Sequence, residues 1–230
     1  MKFQENVPLA KHSNYRIGGP ARYFFAARTA EEVRDALKEA KARRLKVFIL
    51  GGGTNIIFPD KGFKGLVLKV VVGGVRAKKN IVTAGAGILM KDLLEFAVKR
   101  KLAGLSWAGG LPGMVGGAVR GNAGAFGGET KDTLASVRTL NTQALKEKTW
   151  TNRQCKFTYR SSIFKERDGE EVVLEASFSL KQGSVKAIRA EMEDHIRYRK
   201  ERQPLELPNI GSIFKNVPLQ NVPKKLHAQF

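Results

Sequence analysis

Thiol chemistry is nearly absent from this chain of 230 residues, which holds a single cysteine, Cys155. An intramolecular disulfide is excluded, and so is a Cys-x-x-Cys metal or redox pair. Histidine is almost as scarce. His12, His195 and His227 are scattered, with no metal-ligand spacing and no serine-hydrolase elbow beside them, so no metal is expected. No apolar run approaches the roughly 20 residues that cross a bilayer. The N-terminal MKFQENVPLAKHSNYR lacks the apolar stretch of a secretory signal. The expectation is a cytoplasmic protein with no membrane partner. A Gly-x-x-x-x-Gly-Lys-[Ser/Thr] loop is also missing, which removes the P-loop nucleotidases.

Acidic residues are few: 21 Asp and Glu stand against 41 Lys and Arg, for a formal charge of +20. That balance attracts polyanions, either nucleic acid or phosphate-bearing small molecules. The basic residues run from Lys2 to Lys225 without forming a block, and no aromatic-basic recognition motif accompanies them. No nucleic-acid partner is expected. A basic nucleic-acid-binding protein remains the alternative of a different class, and its mark would be binding that weakens steeply with salt. Hydrophobic and charged contents of 42% and 27% are those of a soluble globular protein.

The patterned segments alternate between helix and strand. TAEEVRDALKEAKARR, from Thr29, places Val33, Ala36, Leu37 and Ala40 on one helical face, and Thr29 with Glu32 makes a capping-box signature. KVFIL and GLVLKVVV read as strands of a β-α-β unit. NIVTAGAG and ILMKDLLEFAVKRK repeat the strand-helix pattern, and short strand signals follow at 136–141 and 147–151. EVVLEASFSL puts Val172, Leu174, Ala176, Phe178 and Leu180 on one strand face. A long helix from Ser184 to Gln203, striped by Val185, Ile188, Met192, Ile196 and Arg199, ends at Pro204.

Three glycine-rich stretches are the candidate ligand sites. LGGGTNIIF follows a buried strand, so its N–H groups can converge on an anion, with Thr54 and Asn55 as further donors. TAGAGILM imitates a dinucleotide fingerprint, but Met90 stands where the third glycine belongs, and the Rossmann reading fails. GGLPGMVGGAVRGNAGAFGG holds nine glycines in twenty residues. With Leu111, Met114, Val115, Val119 and Phe126 at regular intervals, it reads as a buried, shaped loop against which an extended ligand lies. Asn122 supplies an amide there, and Ala118, Ala123 and Ala125 keep the wall low. Two polar segments, YRSSIFK and GSIFKN, offer Arg160 to stabilise an oxyanion and Ser212 to deliver a proton.

Taken in order, HSNYRIGGPA, LGGGTNIIF, AGAG, GLPGMVGGAVRGNAGAFGGE, YRSSIFK and GSIFKN resemble the UDP-N-acetylenolpyruvoylglucosamine reductase family, from about Asn6 to Asn216. The resemblance implies an α+β chain with the two-subdomain FAD-binding fold of the vanillyl-alcohol oxidase (PCMH-type) group. The start of an incomplete α+β substrate-binding domain would follow, giving divisions at 1–75, 76–183 and 184–230. It implies FAD as cofactor and NADPH as hydride donor. The reaction would be reduction of UDP-N-acetylglucosamine enolpyruvate to UDP-N-acetylmuramate, for peptidoglycan synthesis, by a monomer. By motif position, Gly51, Gly52, Gly53, Thr54 and Asn55 would hold the FAD diphosphate. Gly113, Gly116, Gly117, Gly121, Asn122, Ala123 and Gly124 would run beside the dinucleotide, and the Gly-Ala-Gly after Thr83 would be a structural turn near the cofactor. Arg160 and Ser212 would be catalytic, the first stabilising the substrate carboxylate and enolate, the second donating the proton. Tyr159, Lys215 and Asn216 would contact substrate.

The family pattern also continues past GSIFKN and places a catalytic glutamate near its C-terminus, for which this sequence has no position; Glu206 precedes the serine. KKLHAQF superficially resembles a later family segment. The expectation is therefore a truncated product that keeps FAD binding, with its turnover as truncated left open. The short connection between YRSSIFK and the long helix resembles the type II branch, which lacks an extra tyrosine loop over the substrate. An FAD-linked oxidase on the same fold is the nearer alternative, and GSIFKN argues against it.

Overall fold

The computed structural model describes residues 1–217 and 219–223. The KKLHAQF stretch, with Lys225 and His227, lies outside the described residues. The first sheet is built from β1 (Gln4–Pro8), β2 (Pro20–Ala27), β3 (Val47–Leu50) and β4 (Phe63–Val70), in the spatial order β1-β2-β4-β3. β2, β4 and β3 are mutually parallel, and β1 adds an antiparallel edge. Helix α1 (Ala30–Ala42) makes the crossover from β2 to β3, so β4 inserts between the two strands that α1 connects. α1 buries Val33, Ala36, Leu37 and Ala40 against the sheet, as its apolar period requires.

The cap of α1 differs from the capping-box expectation in one detail. Thr29 Oγ1 accepts the N–H of Glu32 at 3.1 Å, as expected. The Glu32 carboxylate, however, takes the N–H of Arg28 at 2.6 Å rather than that of Thr29. The glutamate reaches one residue further back and secures the end of β2 instead.

The second sheet begins with β5 (Val75–Lys78) and β6 (Ile81–Gly85), followed by helix α2 (Met90–Lys99) and the two-residue strand β7 (Leu102–Ala103). The glycine-rich stretch then contains α3 (Val115–Gly121) and a small hairpin of β8 (Gly124–Ala125) and β9 (Gly128–Glu129). One turn, α4 (Thr130–Thr133), leads to β10 (Leu134–Asn141) and β11 (Glu147–Thr151). A second turn, α5 (Ile163–Glu166), precedes β12 (Glu171–Ser179). Strand β13 (Lys181–Gln182) pairs with β7, and α6 (Val185–Arg202) closes the regular structure. The sheet order is β11-β10-β12-β6-β5, antiparallel throughout. Val172, Leu174, Ala176 and Phe178 of β12 are almost fully buried in its centre. One apolar cluster joins α1, the inner face of the first sheet and the second sheet.

α6 is fastened to the glycine-rich segment by side chains rather than by an extensive apolar face. Ile188 and Met192 are its buried residues. The His195 ring stacks on Phe126 with centroids 4.0 Å apart, and its Nδ1 lies 3.0 Å from the carbonyl of Ser106. Arg199 donates from Nε to the Gly109 carbonyl at 3.1 Å.

Candidate functional site

The long glycine stretch is not the loop its composition suggests. Val115, Ala118 and Val119 are buried at helical spacing and turn its middle into α3. Glycine costs about 1 kcal/mol relative to alanine in a helix interior. Tertiary contacts offset that cost. Val115 N–H donates to Ile88 at 2.9 Å and Gly116 N–H to Ala86 at 2.9 Å, which docks the start of α3 onto the turn after β6.

Much of the glycine serves the protein's own backbone. At Gly53, φ is +69° and a Cβ would lie 1.9 Å from the His12 carbonyl oxygen, so no side chain fits. At Gly113, φ is +113° and a Cβ would meet Thr54 Oγ1 at 2.8 Å. Gly52 faces the Gly113 Cα, Gly116 faces the Ala86 Cβ, and Gly124 faces Glu129 and Gly128. These contacts bring LGGGTN and the start of α3 together as neighbouring walls. The Gly-Ala-Gly after Thr83 likewise packs on the chain itself, with Gly85 and Gly87 against the backbone of Val71–Gly73.

Gly51, Gly117 and Gly121 differ: a Cβ at any of them would meet open space. Among the described residues, none of the N–H groups from Gly51 to Asn55 donates to a protein acceptor. Backbone donors left free at the end of a parallel strand, with no side chain above Gly51, suit a phosphate-bearing ligand. These residues therefore fit the diphosphate of FAD.

Asn122 has its side-chain amide engaged by the protein itself. It is fully buried in the left-handed conformation (φ 44°) and ends α3. Its Nδ2 donates to Glu129 Oε2 at 3.1 Å and to the Thr158 carbonyl at 3.0 Å, while its Oδ1 accepts the Lys131 N–H at 3.1 Å. The side-chain amide thus ties the glycine segment to YRSSIFK. Ala123 takes part through its backbone, its N–H donating to the Ala118 carbonyl at 2.8 Å.

Arg160 follows directly from that tie. It adopts φ +56°, and Nη1 donates to the Gly124 carbonyl at 2.7 Å, so the guanidinium lies against the end of the glycine segment. Tyr159 is half exposed beneath it, with the ring centroid 5.5 Å from the guanidinium carbon. Lys165 Nζ donates to the Arg160 carbonyl at 2.9 Å. Burial first, and then the positive charges of Lys215, Arg120 and Arg160, push the Lys165 ammonium below its usual range. Arg199 is pushed down by burial and then by Arg160. Five cations from four segments are therefore linked by mutual repulsion, with Arg120, Arg160 and Lys215 acting on Lys165 and Arg160 acting on Arg199. Only Arg120 among them has a carboxylate partner in the described residues, Asp168 at 2.8 Å.

Ser212 and Asn216 lie on an exposed, irregular segment after α6, and among the described residues neither makes a hydrogen bond. The structure brings Lys215 into the cation cluster but gives Ser212 no partner. Cys155 is fully buried, and burial pushes its thiol up to about 12, so it is no nucleophile. Among the described residues no His, Cys, Asp and Glu cluster could hold a metal ion. Motif reading missed Arg120 and Arg199, because their proximity to Arg160 arises only in the fold.

Residues 21–144 match a family described as an FAD binding domain. The chain is 40% identical over 216 residues to the UDP-N-acetylenolpyruvoylglucosamine reductase of Lactobacillus delbrueckii subsp. bulgaricus, covering 94% of this chain and 72% of that protein. The crystal structure of UDP-N-acetylenolpyruvylglucosamine reductase from Thermus caldophilus superposes with a TM-score of 0.80 at 26% identity, covering all of this chain and 80% of that one. 6-Hydroxy-D-nicotine oxidase from Arthrobacter nicotinovorans, at 18% identity and a TM-score of 0.53 over 70% of this chain and 36% of that one, shares the fold. The architecture is the FAD-binding fold of the vanillyl-alcohol oxidase (PCMH-type) group. No described helix is long and apolar enough to cross a membrane.

Proposed function

Because the chain belongs to the UDP-N-acetylenolpyruvoylglucosamine reductase family and carries its FAD binding domain, we propose that it uses FAD and NADPH to reduce UDP-N-acetylglucosamine enolpyruvate to UDP-N-acetylmuramate. FAD, when bound, supplies hydride transfer from NADPH to the enolpyruvyl double bond. The observation that carries the reading is the row of unclaimed N–H groups from Gly51 to Asn55 beside the open faces of Gly51 and Gly117.

In this reading the Gly51–Asn55 backbone binds the diphosphate, and the open faces of Gly117 and Gly121 let the dinucleotide lie close. Arg160 holds the substrate carboxylate, and its charge stabilises the enolate oxygens as negative charge develops there. A guanidinium already fixed by the Gly124 carbonyl needs little reorganisation during that step. Lys215 adds positive charge from the same region, and Tyr159 and Asn216 border the substrate. Ser212 Oγ–H is the proton donor to carbon, with its segment folding toward Arg160 when substrate binds. We divide the chain at 1–75, 76–183 and 184–230, the first part holding the four-stranded sheet and the second all of the five-stranded sheet except Val75. The reading makes the protein a cytoplasmic monomer acting in cell wall biogenesis, and through it in cell shape and division.

Arg160→Ala tests the assignment. The variant should bind FAD and be bleached by NADPH anaerobically, yet fail to recover its flavin colour on addition of the enolpyruvyl substrate. Recovery at the wild-type rate would refute the role.

A further inference from the structure

The second sheet ends in a basic surface that the proposed reaction leaves unused, and three corners of the chain meet there. At the tip of the β5–β6 hairpin, the Asn80 carbonyl accepts the Leu180 N–H at 2.9 Å, and Asn80 Nδ2 donates to the Leu180 carbonyl at 3.1 Å. The stretch after α2 is tied to the stretch after β12 in turn. Lys181 pairs with Ala103, and the Gly183 N–H donates to the Lys101 carbonyl at 2.9 Å. These bonds bring Lys78, Lys79, Lys99, Arg100, Lys101 and Lys181 to one end of the sheet, each of them exposed. Residues 78–81, 99–103 and 179–183 contain no Asp or Glu. Among the described residues, none of the six cations forms an ion pair.

Elsewhere on this sheet cations alternate with carboxylates. Arg34 and Arg138 both pair with Glu147, at 2.7 and 2.6 Å, while Arg138 and Arg76 both pair with Glu175, at 2.8 and 2.6 Å. At the hairpin end no carboxylate separates the cations, so only salt screens their repulsion, and an anionic partner relieves it. What this end lacks narrows the partner's chemistry. Its three stretches contain no Phe, Tyr or Trp on which a base could stack. Five of the six cations are lysines, point charges without the planar fork that reads a base edge or grips a phosphate at two points. Nor is the hairpin a free ribbon for a duplex groove, because β6 is paired with β12 along its other edge. A broad, diffuse layer of negative charge suits it best.

We propose that this end of the protein docks reversibly on an anionic phospholipid bilayer, through charge alone and with no segment inserted. The expectation of no membrane partner rested on the absence of an apolar span, which charge-driven docking does not need. β6 leads away from this end to the turn that holds the start of α3, five residues and roughly 17 Å further on. The Gly51–Asn55 loop packs there, with Gly52 against Gly113. The candidate site therefore lies at the far end of β6 from the lipid and stays open while the protein is docked. The proposal does not depend on the function proposed above.

The test is cosedimentation of the full chain, at about 0.1 M salt, with vesicles of equal parts phosphatidylglycerol and phosphatidylcholine and with vesicles of phosphatidylcholine alone. The wild type should pellet with the first and not with the second. It should be released at about 1 M salt, where the Debye length falls to about 3 Å. One charge near an anionic leaflet is worth about a fivefold change in partitioning, so Lys79→Gln, Lys101→Gln and Lys181→Gln combined should weaken binding about a hundredfold. Arg44→Gln, Lys46→Gln and Lys64→Gln combined remove the same charge from exposed positions on the first sheet and the approach to it, and should weaken binding far less. Lys78→Gln with Lys99→Gln, expected to cost about twenty-five-fold, keeps the test sound if the first combination folds poorly. Failure to pellet, equal pelleting with both vesicles, or equal losses in the two triple variants would overturn the inference. If the vesicles stay empty while a mixed-sequence DNA duplex binds the wild type and not the Lys79, Lys101 and Lys181 variant, the surface serves nucleic acid and the membrane assignment falls.

Discussion

Gly51 and Gly53, two residues apart in one loop, should respond to alanine in opposite ways. At Gly53 the new methyl would sit 1.9 Å from the His12 carbonyl oxygen, and φ of +69° would strain it further. The left-handed conformation costs a non-glycine residue about 1–2 kcal/mol. Forcing a methyl against fixed backbone adds about 1–3 kcal/mol. Gly53→Ala should therefore lose about 2–5 kcal/mol, a fall in Tm of roughly 4–20 °C for a chain of this size. Gly51→Ala meets nothing within 4 Å, and its φ is not positive, so its stability should stay within about 0.5 kcal/mol of wild type. Its methyl would instead occupy the space assigned to the flavin, weakening FAD binding about tenfold or more, since 1.4 kcal/mol of lost contact suffices. Thermal denaturation of FAD-free protein reads the first effect, and quenching of FAD fluorescence on titration reads the second. Wild-type FAD affinity in Gly51→Ala would refute the placement of the cofactor on this loop. Wild-type stability in Gly53→Ala would refute the packing of the loop on His12.

Asn122→Ala removes the amide joining three segments and leaves the Thr158 carbonyl and Lys131 N–H without that partner. At about 0.5–1.5 kcal/mol for each of the three hydrogen bonds lost, denaturant titration should show a loss of about 1.5–4.5 kcal/mol. A loss below about 1 kcal/mol would contradict the structural role argued for it. Glu175 is held below the usual carboxylate range, first by its hydrogen bond from Arg76 and then by Arg138. Because the folded pKa is depressed, the unfolded chain takes up the proton first. The stabilisation is therefore complete above the unfolded value of about 4.3 and is lost as pH falls through the folded one. Glu175→Gln should flatten this acid limb of the stability profile, and an unchanged limb would argue against the pairing.

Legibility from sequence followed the range of the interactions involved. α1 and β12 were readable because burial imposes a period on a contiguous segment, and their buried faces are those the period selects. α3 was not, since glycine's missing side chain records a close approach without recording what approaches. At Gly53 and Gly113 the neighbour is the protein's own His12 and Thr54; at Gly51 and Gly117 it is open space. The hydrogen bonds of Asn122 were not legible for a related reason, as its partners lie up to 36 residues away. The strand β2 escaped notice because Tyr23, Phe24 and Phe25 bury parts of both faces and leave little alternation to see. The cation group around Arg160 draws on residues 120, 160, 165, 199 and 215, and no local motif could announce it.

The most direct test of the central claim is the visible absorption spectrum of the purified chain incubated with FAD, followed anaerobically through successive additions. The account predicts a two-band protein-bound flavin spectrum that NADPH bleaches and UDP-N-acetylglucosamine enolpyruvate restores. A chain that retains no flavin after removal of free FAD, or whose bound flavin NADPH leaves oxidised, would contradict it.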